Sequence, residues 1–235
     1  LLVDQGIMVA ITCLLAVCLI SAFRYAEERS HRARCPNNLK QIAIALQLYH
    51  DEYGSLPPAY MADASGQPIH SWRVLLLPFL ECEPLYQQYR FDEPWDGPNN
   101  RKLHEQFVGV YSCPEQFRQG SGDTRRDTSY VVVVGPRTAF PGDRSVSFGD
   151  IRDGTTNTVL VVEIKNSGIH WMEPRDLHVT QMNPRINPSR GQGISSPHKG
   201  YAQAAIADGG VKTLSEPLSP SEVTSLLNID DGPMP

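Results

Sequence analysis

Residues 7–23, IMVAITCLLAVCLISAF, carry no charge, and a short polar linker joins them to residues 34–54, RCPNNLKQIAIALQLYHDEYG. An apolar run continued by a helical pattern predicts one long helix, the first half an anchor and the second an amphipathic rod. In the second half Leu39, Ile42, Ala43, Leu46 and Tyr49 fall on one stripe, which needs a sheet to pack against. Pro36 removes a backbone donor and is predicted to kink or interrupt the rod. Gly54 ends it, and Leu56-Pro57-Pro58 forbids its resumption.

The apolar run has about 17 residues, at the lower limit for crossing a hydrocarbon core roughly 30 Å thick. A cleaved signal peptide competes with the anchor. Ser21-Ala22 is followed by Arg24, Glu27, Glu28 and Arg29, however, without a small-residue cleavage site. The expected division is a transmembrane anchor at 1–24, in contact with membrane lipid, and one α+β domain at 25–235. The basic residues that follow the run would, by the positive-inside rule, hold the body in the cytoplasm. Charge upstream of Leu1 would alter that balance, and the cysteines argue for a body outside the cytoplasm, in the periplasm or cell envelope.

Five cysteines fall into two groups. Cys13 and Cys18 lie in the apolar run as small hydrophobes. Cys35 opens the amphipathic half and Cys113 closes FVGVYSC, each followed by proline. Cys35–Cys113 is the expected disulfide and Cys82 the free thiol. Closing so long a loop contributes about 4–5 kcal/mol in the chain-entropy model. Three buried unpaired thiols is the competing reading.

The formal charge of −5 is interspersed rather than blocked, so the chain shows no nucleic-acid footprint. With 19 prolines and 18 glycines the body should consist of loops and short strands, disordered only in loops and at the terminal DDGPMP. HSWRVLLLPFLECEPLYQQYRF predicts two short helices divided near Pro84, and DEPWDGPNN the start of another. Strands are expected at FVGVYS, TSYVVVV and NTVLVVEI, forming an antiparallel sheet. YAQAAIADGGVKTLSE reads as a hairpin with a tight primed turn at Asp208-Gly209. Ser219-Pro220-Ser221-Glu222 supplies a capping box for a last helix.

These blocks, in order, resemble a known family: RARCPNNLKQIAIALQLYHDEYGSLPPAY, GQPIHSWRVLLLPFLE, LYQQYRFDEPWDGPNN, YSCP, DGTTNTVLVVE, HWMEPRDL and ADGGVKTLSE. The chain is similar to the planctomycete-type, pilin-like domain family of unknown function. The resemblance implies a helix like that of type IV pilins and pseudopilins, an α+β body, and a place at the cell envelope. It implies no activity. Many such proteins carry a glycine-phenylalanine cleavage motif and then a glutamate, whereas here Gly6 is followed by Ile7 and no acidic residue through Ile11. A single-pass anchor carrying a pilin-like body fits that departure better than a processed filament subunit.

Chemical constellations are sparse. The seven histidines, His31, His50, His70, His104, His170, His178 and His198, lack zinc-site spacing, so no metal site or cofactor is expected. No serine elbow or phosphate loop occurs, and no enzyme is expected. Asp150, Asp153 and Asn157, ahead of the strand that Glu163 enters, offer oxygens that suit calcium, against a plainer reading of Asp153-Gly154 as a turn. His198 and Asp208 make a second donor pair. Trp72, Trp95 and Trp171 suggest aromatic platforms for a glycan or peptide, against partial burial beside the long helix. Glu173, Arg175 and Asp176 suit either a recognition loop or a buried arginine–carboxylate clamp. The expected role is a non-enzymatic structural or interaction module with envelope or pseudopilus partners. A ligand-binding module is the alternative, and a carboxylate hydrolase using Asp153 and Glu163 comes third.

Overall fold

The computed structural model describes residues 2–118 and 126–230, apart from the side chains of 2–13, 24–33 and 117–118. One helix, α1 (Leu2–Tyr53), runs through Pro36 without interruption. At 1.5 Å per residue it is about 78 Å long. A proline costs one hydrogen bond, and packing of the following turns offsets that loss: Cys35, Leu39, Ile42, Ala43, Ala45 and Leu46 are all at most 1% exposed. Gly54, with φ +75°, closes the helix by returning its amide to the His50 carbonyl at 2.8 Å.

Among the described residues no helix is long and apolar enough to cross a membrane. Of the predicted span 7–23, the side chains of 7–13 lie outside those described. Those of 14–23 are exposed, Leu14, Leu19 and Phe23 at 65%, 71% and 72%.

Strands β1 (Tyr60–Ala62) and β2 (Pro68–Ser71) pair as a small hairpin. Helix α2 (Trp72–Leu75), a 3-10 turn at Leu77–Leu80 and α3 (Glu83–Tyr86) follow. The predicted break near Pro84 falls earlier, at Glu81, whose φ of 59° ends the 3-10 turn, and Pro84 sits inside the first turn of α3. The loop after Trp95 does start a short helix, a 3-10 turn at Asn100–Leu103. FVGVYS is not a strand; Gly109–Tyr111 is a 3-10 turn leading through Cys113 into α4 (Pro114–Arg118). Its backbone is used locally and by the neighbouring loop: the Tyr111 amide bonds the Val108 carbonyl, and the Tyr111 carbonyl takes the Ser129 amide at 2.8 Å.

The main sheet contains β3 (Tyr130–Val134), β4 (Val159–Glu163), β5 (Leu177–His178), β6 (Tyr201–Ile206) and β7 (Val211–Ser215), in the order β5-β3-β4-β6-β7. It is mixed rather than wholly antiparallel, because the two-residue β5 runs parallel to β3. YVVVV and VLVVE are continuous apolar runs because both faces of the sheet are covered. On one face Tyr130, Val132, Val161 and Ala205 pack with the stripe of α1. On the other, Val131, Val162, Ala204 and Leu214 meet α5 (Pro220–Leu227) and the loop residues Ile186 and Ile194. The capping box of α5 is formed by Ser219 and Glu222.

The final hairpin turns later than a two-residue primed turn would. The Ile206 amide bonds Gly210 O at 3.0 Å, and only Gly209 takes a positive φ, +85°. That pattern is a three-residue turn ending in a left-handed glycine. The turn tip lies against the end of the Gln47 side chain of α1, and it is the positive φ of Gly209 that calls for glycine there. Part of DDGPMP, residues 231–235, lies outside the described residues.

Candidate functional site

Cys35 of α1 and Cys113 are joined in a disulfide, with Cα atoms 5.2 Å apart. Cys82 is a free, half-buried thiol, its pKa raised mainly by burial, and Cys18 is free and exposed. Cys13 lies outside the residues whose side chains are described. Around the disulfide the backbone is fixed by Tyr130 Oη, which donates to the Cys35 carbonyl at 3.2 Å, and by Asn38 Nδ2, which donates to Ser112 O at 2.9 Å.

The register Tyr130↔Glu163 turns the Glu163 side chain toward the same face as Tyr130, and so toward the disulfide. Glu163 is 1% exposed, and its Oε2 accepts the Gln203 amide at 2.9 Å. Its Oε1 is buried with no hydrogen bond of good geometry. Burial raises the pKa of Glu163 to about 7, against the opposing pull of the Ser196 hydroxyl and the Gln203 amide. Among the described residues no lysine or arginine is ion-paired with it.

The segment before β6 brings in His198, 8% exposed, whose ring lies parallel to Tyr201 with centroids 5.4 Å apart. Asn187 Oδ1 accepts the Ser196 amide at 2.8 Å, and Ser196 Oγ accepts the His198 amide at 3.2 Å, so the loop is held by its own side chains. The two sulfurs, a carboxylate oxygen of Glu163 and a ring nitrogen of His198 all lie within 4.8 Å of one another.

A second buried polar assembly lies elsewhere on the same face of the sheet. Asp176 Oδ1 accepts Arg73 Nη1 at 2.8 Å, the Val132 amide at 3.0 Å and Trp72 Nε1 at 3.2 Å. Arg73 Nη2 also donates to the Arg175 carbonyl, at 2.9 Å. Burial pushes the Asp176 pKa up to about 6, and Arg73 opposes that rise. Of the two roles weighed for this acid, the structure makes the clamp, with Arg73 as its partner. Arg175 instead pairs with Glu173 at 2.6 Å near the surface.

The remaining candidates separate. Trp72 and Trp171 are 0% and 2% exposed, core residues rather than platforms, and Trp171 Nε1 donates to the Gln106 carbonyl. Half-buried Trp95 stacks on His104 and His170, with centroids 5.2 and 5.6 Å away. His170 Nε2 donates to the His104 carbonyl and its Nδ1 accepts the Met172 amide, so the ring is neutral. Burial lowers its pKa to about 4. His50 and His70 serve as hydrogen-bonding partners of Phe148 and of Tyr89. His178 does the same for Thr180, and the side chain of His31 lies outside those described.

Asp150 closes a capping box with Ser147. Asn157 donates to the Asp153 carbonyl across the turn made by Gly154, which has φ +88°. Asp150 is taken up by the Ser147 amide and hydroxyl, and Asn157 by the turn backbone, the arrangement the plainer turn reading describes. His198 and Asp208 stand at opposite ends of β6 and make no pair. Sequence reasoning missed the grouping of Cys35, Cys113, Glu163 and His198 because its donors are dispersed along the chain. The register of β3 with β4 was the one signal that brings Glu163 under Cys35.

No curated protein and no solved structure shows a significant match. A family model described as a protein of unknown function (DUF1559) matches residues 25–176, from the linker of α1 to the clamp carboxylate Asp176. That match spans most of the chain, and the protein belongs to the DUF1559 family of uncharacterised domains.

Proposed function

We propose that this protein is a membrane-anchored, extracytoplasmic, pilin-like module with a structural or interaction role and no catalytic activity. Its partners are membrane lipid at the anchor and other envelope or pseudopilus proteins at the body. One observation carries the reading. On a single helix, Leu39, Ile42, Ala43, Ala45 and Leu46 form a stripe sealed in the core while Leu14, Leu15, Val17, Leu19, Ile20 and Phe23 are each at least 55% exposed. Apolar side chains left bare on a helix that elsewhere buries its stripe need a covering of lipid or of other helices. The Cys35–Cys113 disulfide favours an oxidising compartment for the body. The dispersed charge gives no basis for nucleic-acid binding.

Protease protection in intact spheroplasts, with alkylation of free thiols in the same sample, tests this reading. The expected result is digestion of the body from outside, with Cys35 and Cys113 unreactive until reduced. A protected body with both thiols reactive would place it in the cytoplasm and overturn the reading.

A further inference from the structure

We propose that the Cys35–Cys113 disulfide, Glu163 and His198 are the oxidised form of a four-donor metal site, which on reduction takes a divalent ion of the zinc class. The donor set is two sulfurs, one carboxylate oxygen and one imidazole nitrogen, a combination that zinc accepts in tetrahedral sites. With zinc–sulfur distances near 2.3 Å and zinc–nitrogen or zinc–oxygen distances near 2.0–2.1 Å, donors in such a site stand roughly 3.3–3.8 Å apart. All four donor atoms already lie within 4.8 Å of one another, and once the S–S bond is broken the two sulfurs must move apart to the spacing of such a site.

A second, independent observation points to a cation. Glu163 is 1% exposed and its Oε1 is buried with no hydrogen bond of good geometry. Among the described residues no lysine or arginine is paired with it. A buried carboxylate is ordinarily paired or bound to a metal, and here the surrounding groups are themselves metal ligands. The positions are held by rigid elements: Cys35 on α1, Glu163 on a central strand, and His198 on a loop braced by Asn187 and Ser196.

The chemistry balances with a named reductant. A water-soluble phosphine gives two electrons to the S–S bond, is oxidised to its phosphine oxide with oxygen from water, and the two water protons end on the two thiols. The metal ion then binds both sulfurs as thiolates, releasing one proton from each. In the oxidised protein the sulfurs are bonded to one another, and the site is closed to metal.

Cobalt(II) titration of the full-length protein, oxidised and phosphine-reduced, under anaerobic conditions tests the proposal, followed by back-titration with zinc. The reduced protein is expected to bind one cobalt ion, with the visible bands of a tetrahedral ion and near-ultraviolet sulfur-to-cobalt charge transfer. Zinc should bleach both, and the oxidised protein should show neither. Glu163→Gln and His198→Ala are each expected to weaken binding by about tenfold or more, at least the loss seen when supporting groups of metal sites are removed. X-ray absorption of the zinc form should show two sulfur and two nitrogen or oxygen neighbours.

Should reduction loosen the fold, a rise in melting temperature on adding zinc, lost in Glu163→Gln, supports the site. Equal cobalt binding by both redox forms would overturn it. So would absence of the tetrahedral spectrum, or a spectrum indifferent to both substitutions, which would mark capture by loose thiols.

Discussion

Asp176 and Glu163 are carboxylates buried to nearly the same degree, their side chain and residue 2% and 1% exposed, and their surroundings differ in kind. One oxygen of Asp176 collects a guanidinium, an indole and a backbone amide, and its charge is balanced within the core. Glu163 has the Gln203 amide on one oxygen, no hydrogen bond of good geometry on the other, and the Ser196 hydroxyl, a disulfide and an imidazole as neighbours. A carboxylate paired with a guanidinium fastens two loops. One whose neighbours are metal-ligating groups is the candidate site. Burial alone does not separate these cases, whereas the inventory of partners does.

The largest effect belongs to the disulfide beside Glu163. Its cysteines are 78 residues apart, and the chain-entropy relation gives about 4.5 kcal/mol for closing such a loop. Cys35→Ser with Cys113→Ser is expected to lower the unfolding free energy by about that amount, measured by urea titration of the oxidised wild type and the variant. A loss under about 1 kcal/mol would mean that packing of α1 holds the two ends together without the bond.

Asp176→Ala comes next. It leaves Arg73 buried without its carboxylate, a defect that costs about 3–5 kcal/mol where buried pairs are broken. Replacing both partners, Arg73→Met with Asp176→Leu, is expected to recover most of that loss, because no charge is then stranded. The cycle of two single variants and the double, followed by denaturation midpoint, measures the coupling. Additive losses would show that Asp176 acts through Trp72 and Val132 rather than through Arg73.

Glu163→Gln sharpens the contrast from the other side. The amide keeps the shape and the acceptor for the Gln203 amide, and there is no salt bridge to break. The expected change in stability of the oxidised protein near neutral pH is within about 1 kcal/mol, or a gain, since a buried charge without a cation is removed. A loss as large as that of Asp176→Ala would place a cation beside Glu163 and dissolve the comparison.

Much of this was legible in the sequence where the pattern was local. The stripe Leu39, Ile42, Ala43 and Leu46, the stop at Gly54, the apolar runs of β3 and β4 and the Ser219–Glu222 box each follow from spacing within a few residues. What was not legible was set by distant partners. FVGVYS carries strand-like residues but is drawn into a 3-10 turn by the Ser129 amide and by the tie of Cys113 to α1. β5 is two residues long and exists only through its pairing with β3. The candidate site shows the same limit, because Glu163 and His198 meet only through strand register and the course of the loop before β6. Arg73 likewise could not be matched to Asp176 from a separation of 103 residues.

The last effect is a matter of pH, and it tells whether acid weakens the fold through the carboxylates or through another group. His170 is held neutral, with Nε2 donating to the His104 carbonyl and Nδ1 accepting the Met172 amide. Its pKa, about 4, is depressed by burial against the opposing pull of the His104 carbonyl; the charges of the His104 ring and Arg126 lower it further and Glu173 opposes them. The unfolded chain holds this imidazole at its ordinary value near 6.5 and so takes up a proton at higher pH than the folded one. Between pH about 6.5 and 4 the unfolded state binds more protons, and stability falls as pH falls. Above pH about 6.5 the two states hold the same charge at this position, and the contribution is flat. His170→Gln keeps a donor for the His104 carbonyl but cannot titrate. It is expected to lower stability modestly at pH 7 and to show a shallower decline down to pH 4.5, read from urea midpoints across the range. A decline of unchanged slope would assign the acid limb to other groups. Asp176 does not supply that slope on its own: its raised pKa means the folded state binds the extra proton between pH 3.8 and about 6, so its term runs in the opposite direction.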